Sequence, residues 1–159
     1  MPSITLDTNI IIDFLEVKRP HHQDAVEIIN NKNLKLFITE TVIKEIKGEE
    51  KLAKIQELIG NGILTVLDEP QMGFAIPTAI PIDMSHISPD RDAFIDNYLA
   101  KHPGKEKYKV LRDFLIAEAH KRNNNDYLLT NNMKDFYENL DIQAVDYSDL
   151  FIKLKSFFT

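Results

Sequence analysis

Short apolar runs alternate with longer stretches of helical period, and this alternation commits the chain to an α/β fold with an open, mainly parallel sheet flanked by helices. The first run, residues 3–6, ends on Asp7-Thr8-Asn9, residues that cap helix N-termini. Residues 10–15 then read as a buried helix. Further helices are expected over 22–32, 40–59, 90–101, 106–122 and 148–158. Strands are expected over 34–38, 63–67, 127–130 and 142–145, which gives a sheet of about four to five strands. Gly60 and Gly62 close the long helix expected over 40–59.

At 159 residues the chain reads as one domain, 1–159. Residues 68–89 break the pattern. Pro70, Gly73, Pro77, Pro81 and Pro89 exclude a long helix there, so a proline-rich loop of functional or mobile character is expected. Cysteine is absent, which excludes disulfide frameworks, thiolate zinc sites and thiol catalysis. The net charge of −6 excludes nucleic-acid binding by bulk charge. Any such role must use a local basic patch or metal ions. No apolar run is long enough to span a membrane and no signal-peptide pattern opens the chain, so a cytoplasmic protein without membrane contact is expected.

In parallel α/β sheets ligands bind beyond the carboxyl ends of the strands. Asp7 follows the first strand there, and its ordinary reading is a helix cap. Glu45 flanks the apolar stripe of the helix expected over 40–59. Asp113 shares its helix face with Val110, Ile116 and Ala117, where an acid is costly unless paired, hydrogen-bonded or metal-bound. An ion pair from Asp113 to Arg112 is not expected, because adjacent helix residues point apart. Asn132 and Asp135 follow the strand at 127–130 in a polar run that reads as a turn or cap. Each acid has a structural reading of its own, but all fall near a strand end or on a helix that could line one. Converging carboxylates repel unless a cation sits among them. Oxygen ligands without Cys or His suit Mg²⁺ or Mn²⁺, ions that among carboxylates serve phosphoryl transfer.

The five histidines show no metal-binding spacing. His120, seven residues after Asp113, shares its helix face. Asp13 reads as a solvated helix acid near the rim. Lys44, Lys47, Lys51 and Lys54 fall on one helix stripe, though Glu40–Lys44 and Glu50–Lys54 pairs explain it as a solvated face. Lys101, Lys105, Lys107, Lys109 and Arg112 form the most basic stretch and could hold a substrate backbone.

Four blocks resemble the PIN-domain ribonucleases, a family that includes the VapC-like toxins. Ile4-Thr5-Leu6-Asp7-Thr8-Asn9 resembles their opening, and Thr39 followed six residues later by Glu45 their second block. Arg112-Asp113-Phe114-Leu115-Ile116-Ala117 is similar to the third, and residues 129–136 to the fourth. The blocks stand in the family's order. The resemblance implies a metal-dependent endoribonuclease whose Asp7, Glu45 and Asp113 hold Mg²⁺ or Mn²⁺. Many members have Asp where this chain has Asn132, and others use the acid before the block's Phe, here Asp135, as the fourth ligand. Asn9, Thr130 and Asn132 would then face the substrate. The resemblance further implies an RNA substrate, an antitoxin protein as partner of a toxin, and a homodimer. The alternative is a PIN-like module that binds RNA or protein while cutting weakly or not at all. A phosphohydrolase of the haloacid dehalogenase type also has an acid after its first strand, but it carries a second Asp two residues later, where this chain has Asn9.

Overall fold

A computed structural model describes residues 1–68, 96, 99–100, 103–104, 106–136 and 142–158. The loop expected over 68–89, after its first residue, and nearly all of the helix expected over 90–101 lie outside these. The described chain forms a five-stranded sheet in the order β3-β2-β1-β4-β5, with every pairing parallel. The strands are β1 (Ser3–Leu6), β2 (Lys35–Thr39), β3 (Leu64–Leu67), β4 (Tyr127–Leu129) and β5 (Ala144–Val145). Around them lie α1 (Thr8–Leu15), α2 (His22–Ile29), α3 (Glu40–Glu45), α4 (Glu49–Gly60), α5 (Lys107–Arg122) and α6 (Tyr147–Lys153). Among the described residues no helix is long and apolar enough to cross a membrane.

β1 is central. Ile4, Thr5 and Leu6 are all wholly buried, so both faces of the strand are covered. Two covered faces explain why such strands appear in sequence as short apolar runs without polar alternation. The register sets Ile4 beside Leu36 and Tyr127, and Leu6 beside Leu129. Pairing runs one step further, since the Asp7 amide donates to the Leu129 carbonyl at 3.0 Å. The turns from strand to helix are capped by side chains. Asp7 accepts from the Thr8 amide, Thr39 from Val42, and Asp146 from Asp149. Each cap satisfies a helix-start N–H that has no intrahelical partner.

The single helix expected over 40–59 is two helices. α3 stops at Glu45, Ile46 is extended, and Gly48 turns the chain at φ 104° before α4 begins. That backbone conformation is open almost only to glycine. The apolar period survives the break because Ile46, on the connector, is itself buried. The lysine stripe does not survive it. Lys51 instead pairs with Glu16 at 2.8 Å and Lys54 with Glu57 at 3.6 Å.

α5 is covered on nearly every side, with Val110, Leu111, Phe114, Ile116, Ala117 and Ala119 all buried. It is fastened to β1 by His120, whose Nδ1 lies 2.8 Å from the Thr5 hydroxyl. The Thr5 oxygen also accepts from Asn125 Nδ2 at 2.9 Å, which leaves its own proton free for the imidazole. His120 is 3 % exposed, and burial pushes its pKa down to about 4, against a weak opposing pull from Asp126. The ring is a neutral fastener. Asp113 lies two turns earlier on the same helix.

Candidate active site

The order β3-β2-β1-β4-β5 reverses direction between β1 and β4: the chain first steps outward through β2 and β3, then returns to the other side of β1. Beyond the carboxyl ends of the two strands flanking such a reversal, the diverging loops leave a crevice. Asp7 and Thr130 directly follow β1 and β4 at this place. The Thr130 hydroxyl donates to Asp7 Oδ2 at 2.7 Å and ties the two strand ends together. Asp7 Oδ1 accepts from the Thr8 amide at 2.7 Å. Asn9 Nδ2 reaches Asp7 Oδ2 at 3.3 Å and Thr130 Oγ1 at 3.4 Å. Asp7 is 4 % exposed, and these donors hold its carboxylate in one orientation.

The loop after β4 is drawn into the same network. The Asn131 amide donates to Asn9 Oδ1 at 3.2 Å, and the Asn132 amide to Thr130 Oγ1 at 3.0 Å. Asn9, Thr130 and Asn132 are therefore brought together with Asp7, although Asn132 enters through its backbone while the residue is exposed. Asp135 ends a short 3₁₀ turn, Met133–Asp135, and its side chain lies outside the described residues.

Asp13 corrects the sequence reading. It is no solvated acid but is 1 % exposed. Its Oδ1 accepts from Arg19 Nε at 2.9 Å, and its Oδ2 from Asn131 Nδ2 at 2.7 Å and the Tyr147 hydroxyl at 2.9 Å. Burial, then the bond to Asp13, raises the Tyr147 pKa far above the ordinary phenol range. The His21 ring stacks on Tyr147 at 5.0 Å, and His22 Nδ1 donates to the Asp13 carbonyl at 2.9 Å. A buried carboxylate that accepts three hydrogen bonds thus anchors the loop that carries Asn131. The signal was present in the sequence: Asp13 interrupts the apolar run Ile10-Ile11-Ile12-Asp13-Phe14-Leu15.

Glu45 and Asp113 meet through a cation that the sequence reading had directed elsewhere. Arg112 Nη1 lies 2.8 Å from Glu45 Oε2, and Arg112 Nε lies 3.8 Å from Asp113 Oδ1. The ion pair that adjacency was expected to prevent is present, because the arginine stem is long enough to bring its fork back over its neighbour. The side chains of Arg112, Glu45 and Asp113 are 25 %, 13 % and 8 % exposed. Of the other residues in the basic stretch, Lys109 is exposed, while Lys101, Lys105 and the Lys107 side chain lie outside the described residues.

Buried carboxylates with no sulfur ligand nearby suit Mg²⁺ or Mn²⁺ in donor chemistry. Glu45 and Asp113 already share a positive charge, that of the Arg112 guanidinium. In the arrangement described, however, no group of three or more His, Asp or Glu residues is placed to hold a metal ion among the described residues. A cavity of about 490 Å³ lies away from this edge, beside the amino-terminal ends of β2 and β3, and contains Lys32 and Lys35 but no acid.

No protein-family model matches the chain, and no curated protein matches it. Among solved structures it is similar to the crystal structure of VapBC2 from Rickettsia felis bound to a DNA fragment from their promoter. The identity is 18 %, the match covers 91 % of this chain and 98 % of that chain, and the TM-score is 0.49.

Proposed function

We propose that this chain is a PIN-like, metal-dependent endoribonuclease. The observation that supports the reading best is Asp7 held by Thr130 across the reversal between β1 and β4, in the crevice where α/β sheets of this kind bind ligands. The order of the four sequence blocks supports it independently. In this reading Asp7, Glu45 and Asp113 would hold Mg²⁺ or Mn²⁺, with Asp135 as the fourth acid. The bound ion would supply Lewis acidity toward a phosphate oxygen and a lowered pKa for an attacking water. The chain's own residues supply position. Thr130, Thr8 and Asn9 fix the Asp7 carboxylate, so little reorganisation is left for the reaction. Asn132, which is exposed, would offer its side-chain amide to the ribose and phosphate of RNA, with Asn9 and the buried Thr130 acting from behind by holding Asp7. No side chain is needed as a nucleophile. A toxin role, with an antitoxin protein as partner and a homodimer as the assembly, is a further step that rests on the resemblance of the four sequence blocks alone.

A second reading is a module that binds RNA or protein with little or no cutting. It is favoured by the absence, among the described residues, of three acids placed for a metal ion. Incubating the protein with a mixed RNA pool, in Mn²⁺ and in EDTA, separates the two. The nuclease reading expects cleavage in Mn²⁺ and none in EDTA. Equal cleavage in EDTA contradicts it, and binding without cleavage in either condition favours the second reading.

A further inference from the structure

Arg112 is unexplained by the nuclease reading. A basic residue beside the third acid would be expected to face the substrate backbone. It turns inward instead, three-quarters covered, and spans from α5 to α3. Burying a guanidinium is costly unless its charge and its donors are matched. The charge is matched by Glu45 at 2.8 Å and by Asp113 at 3.8 Å. The donors are not all matched, because the buried Nε makes no hydrogen bond among the described residues. The pair is therefore a single charge-assisted contact and lacks the two-pronged geometry of the strongest arginine–carboxylate pairs.

We propose that Arg112 is a resident counter-cation that competes with the divalent metal for Glu45 and Asp113. The inference rests on the metal-site reading above and adds a regulation to it. The guanidinium's positive charge offsets part of the repulsion of these two carboxylates in a partly desolvated place. A divalent cation on the same carboxylates would meet the guanidinium's like charge at close range, so loading requires Arg112 to leave. The imperfect pairing of its Nε makes departure easier than from a two-pronged pair. Metal loading is thus an exchange of one cation for another, and the arginine sets the metal concentration at which the exchange occurs.

The test uses Mn²⁺ alone as the probe, with its Kd measured by calorimetry and the melting temperature measured in EDTA. Arg112→Gln removes the competitor. It should bind Mn²⁺ about tenfold or more tightly than wild type, a change worth about one decade of Kd, and should melt lower in EDTA. Saturating Mn²⁺ should narrow the melting gap, because the ion restores the lost countercharge. Arg112→Lys keeps a charge without the planar fork and should fall between the two. If Arg112→Gln does not fold in EDTA, the lysine variant carries the comparison, and tighter Mn²⁺ binding than wild type supports the exchange. Wild type that binds Mn²⁺ beside variants that bind equally or more weakly overturns the exchange and leaves the metal site standing. Folded proteins of which none binds Mn²⁺ overturn both.

Discussion

His120 fastens α5 to β1, and replacing it by Asn should change how stability depends on pH. The Thr5 contact is made by Nδ1, which an Asn side chain can imitate, so the fold and its bond should persist. The imidazole is held neutral by burial, with its pKa lowered from 6.5 to about 4. Above pH 6.5 both folded and unfolded chains carry a neutral ring, and His120 adds no pH dependence. Below that value the unfolded chain takes up a proton that the folded chain refuses, so stability falls as pH falls. A shift of that size corresponds to about 3 kcal/mol once the pH is below 4, and to about 2 kcal/mol already lost at pH 5. The assay is urea unfolding of wild type and His120→Asn from pH 7.5 to 5. Carboxylates contribute to both curves and cancel in the difference. The wild-type curve should fall below its own neutral-pH value by about 2 kcal/mol more than the variant's does. Parallel curves across this range, or a wild type that gains relative stability on acidification, would refute the reasoning.

Two further substitutions probe other parts of the site's frame. Asp13→Asn keeps the shape but sets an amide against the donors Arg19, Asn131 and Tyr147, and should cost about 1–3 kcal/mol in urea unfolding. A loss under about 0.5 kcal/mol would restore the view of Asp13 as a surface acid. Gly48→Ala meets no neighbouring atom, so only its φ of 104° is at stake, and a loss of about 1–3 kcal/mol is expected. An unchanged melting temperature would mean that the turn between α3 and α4 does not need that conformation.

Local pattern carried the sheet and its order of elements, and it failed where the partner was remote. Buried parallel strands concentrate apolar residues in short runs, so β1 appeared at residues 3–6 in sequence and in structure. The break at Gly48 was masked because the buried Ile46 continues the helical period while its backbone is extended. Asp13, like Asp113, is an acid among apolar neighbours in the sequence, and its burial follows from the same cost of leaving such an acid unpaired. The inward turn of Arg112 is invisible in the sequence for a different reason. Its contact with Glu45 depends on how α5 lies against α3, and no spacing within either helix encodes that. The network ties Asn9 to the loop at 130–132, more than a hundred residues later, which is why sequence could name its members but not their bonds.

The central claim is that Asp7 at the reversal between β1 and β4 serves RNA hydrolysis beyond capping a helix. Asp7→Asn retains the side-chain shape and an acceptor for the Thr8 amide, so the variant should stay folded. The direct measurement is the initial rate of RNA cleavage in saturating Mn²⁺ for wild type and Asp7→Asn, with melting temperatures confirming that both are folded. The account predicts cleavage by wild type and a loss of at least about ten- to a hundredfold in the variant, the cost already seen when only the hydrogen-bond partners of a metal's ligands are disturbed. A folded Asp7→Asn protein that cleaves RNA at the wild-type rate would contradict it.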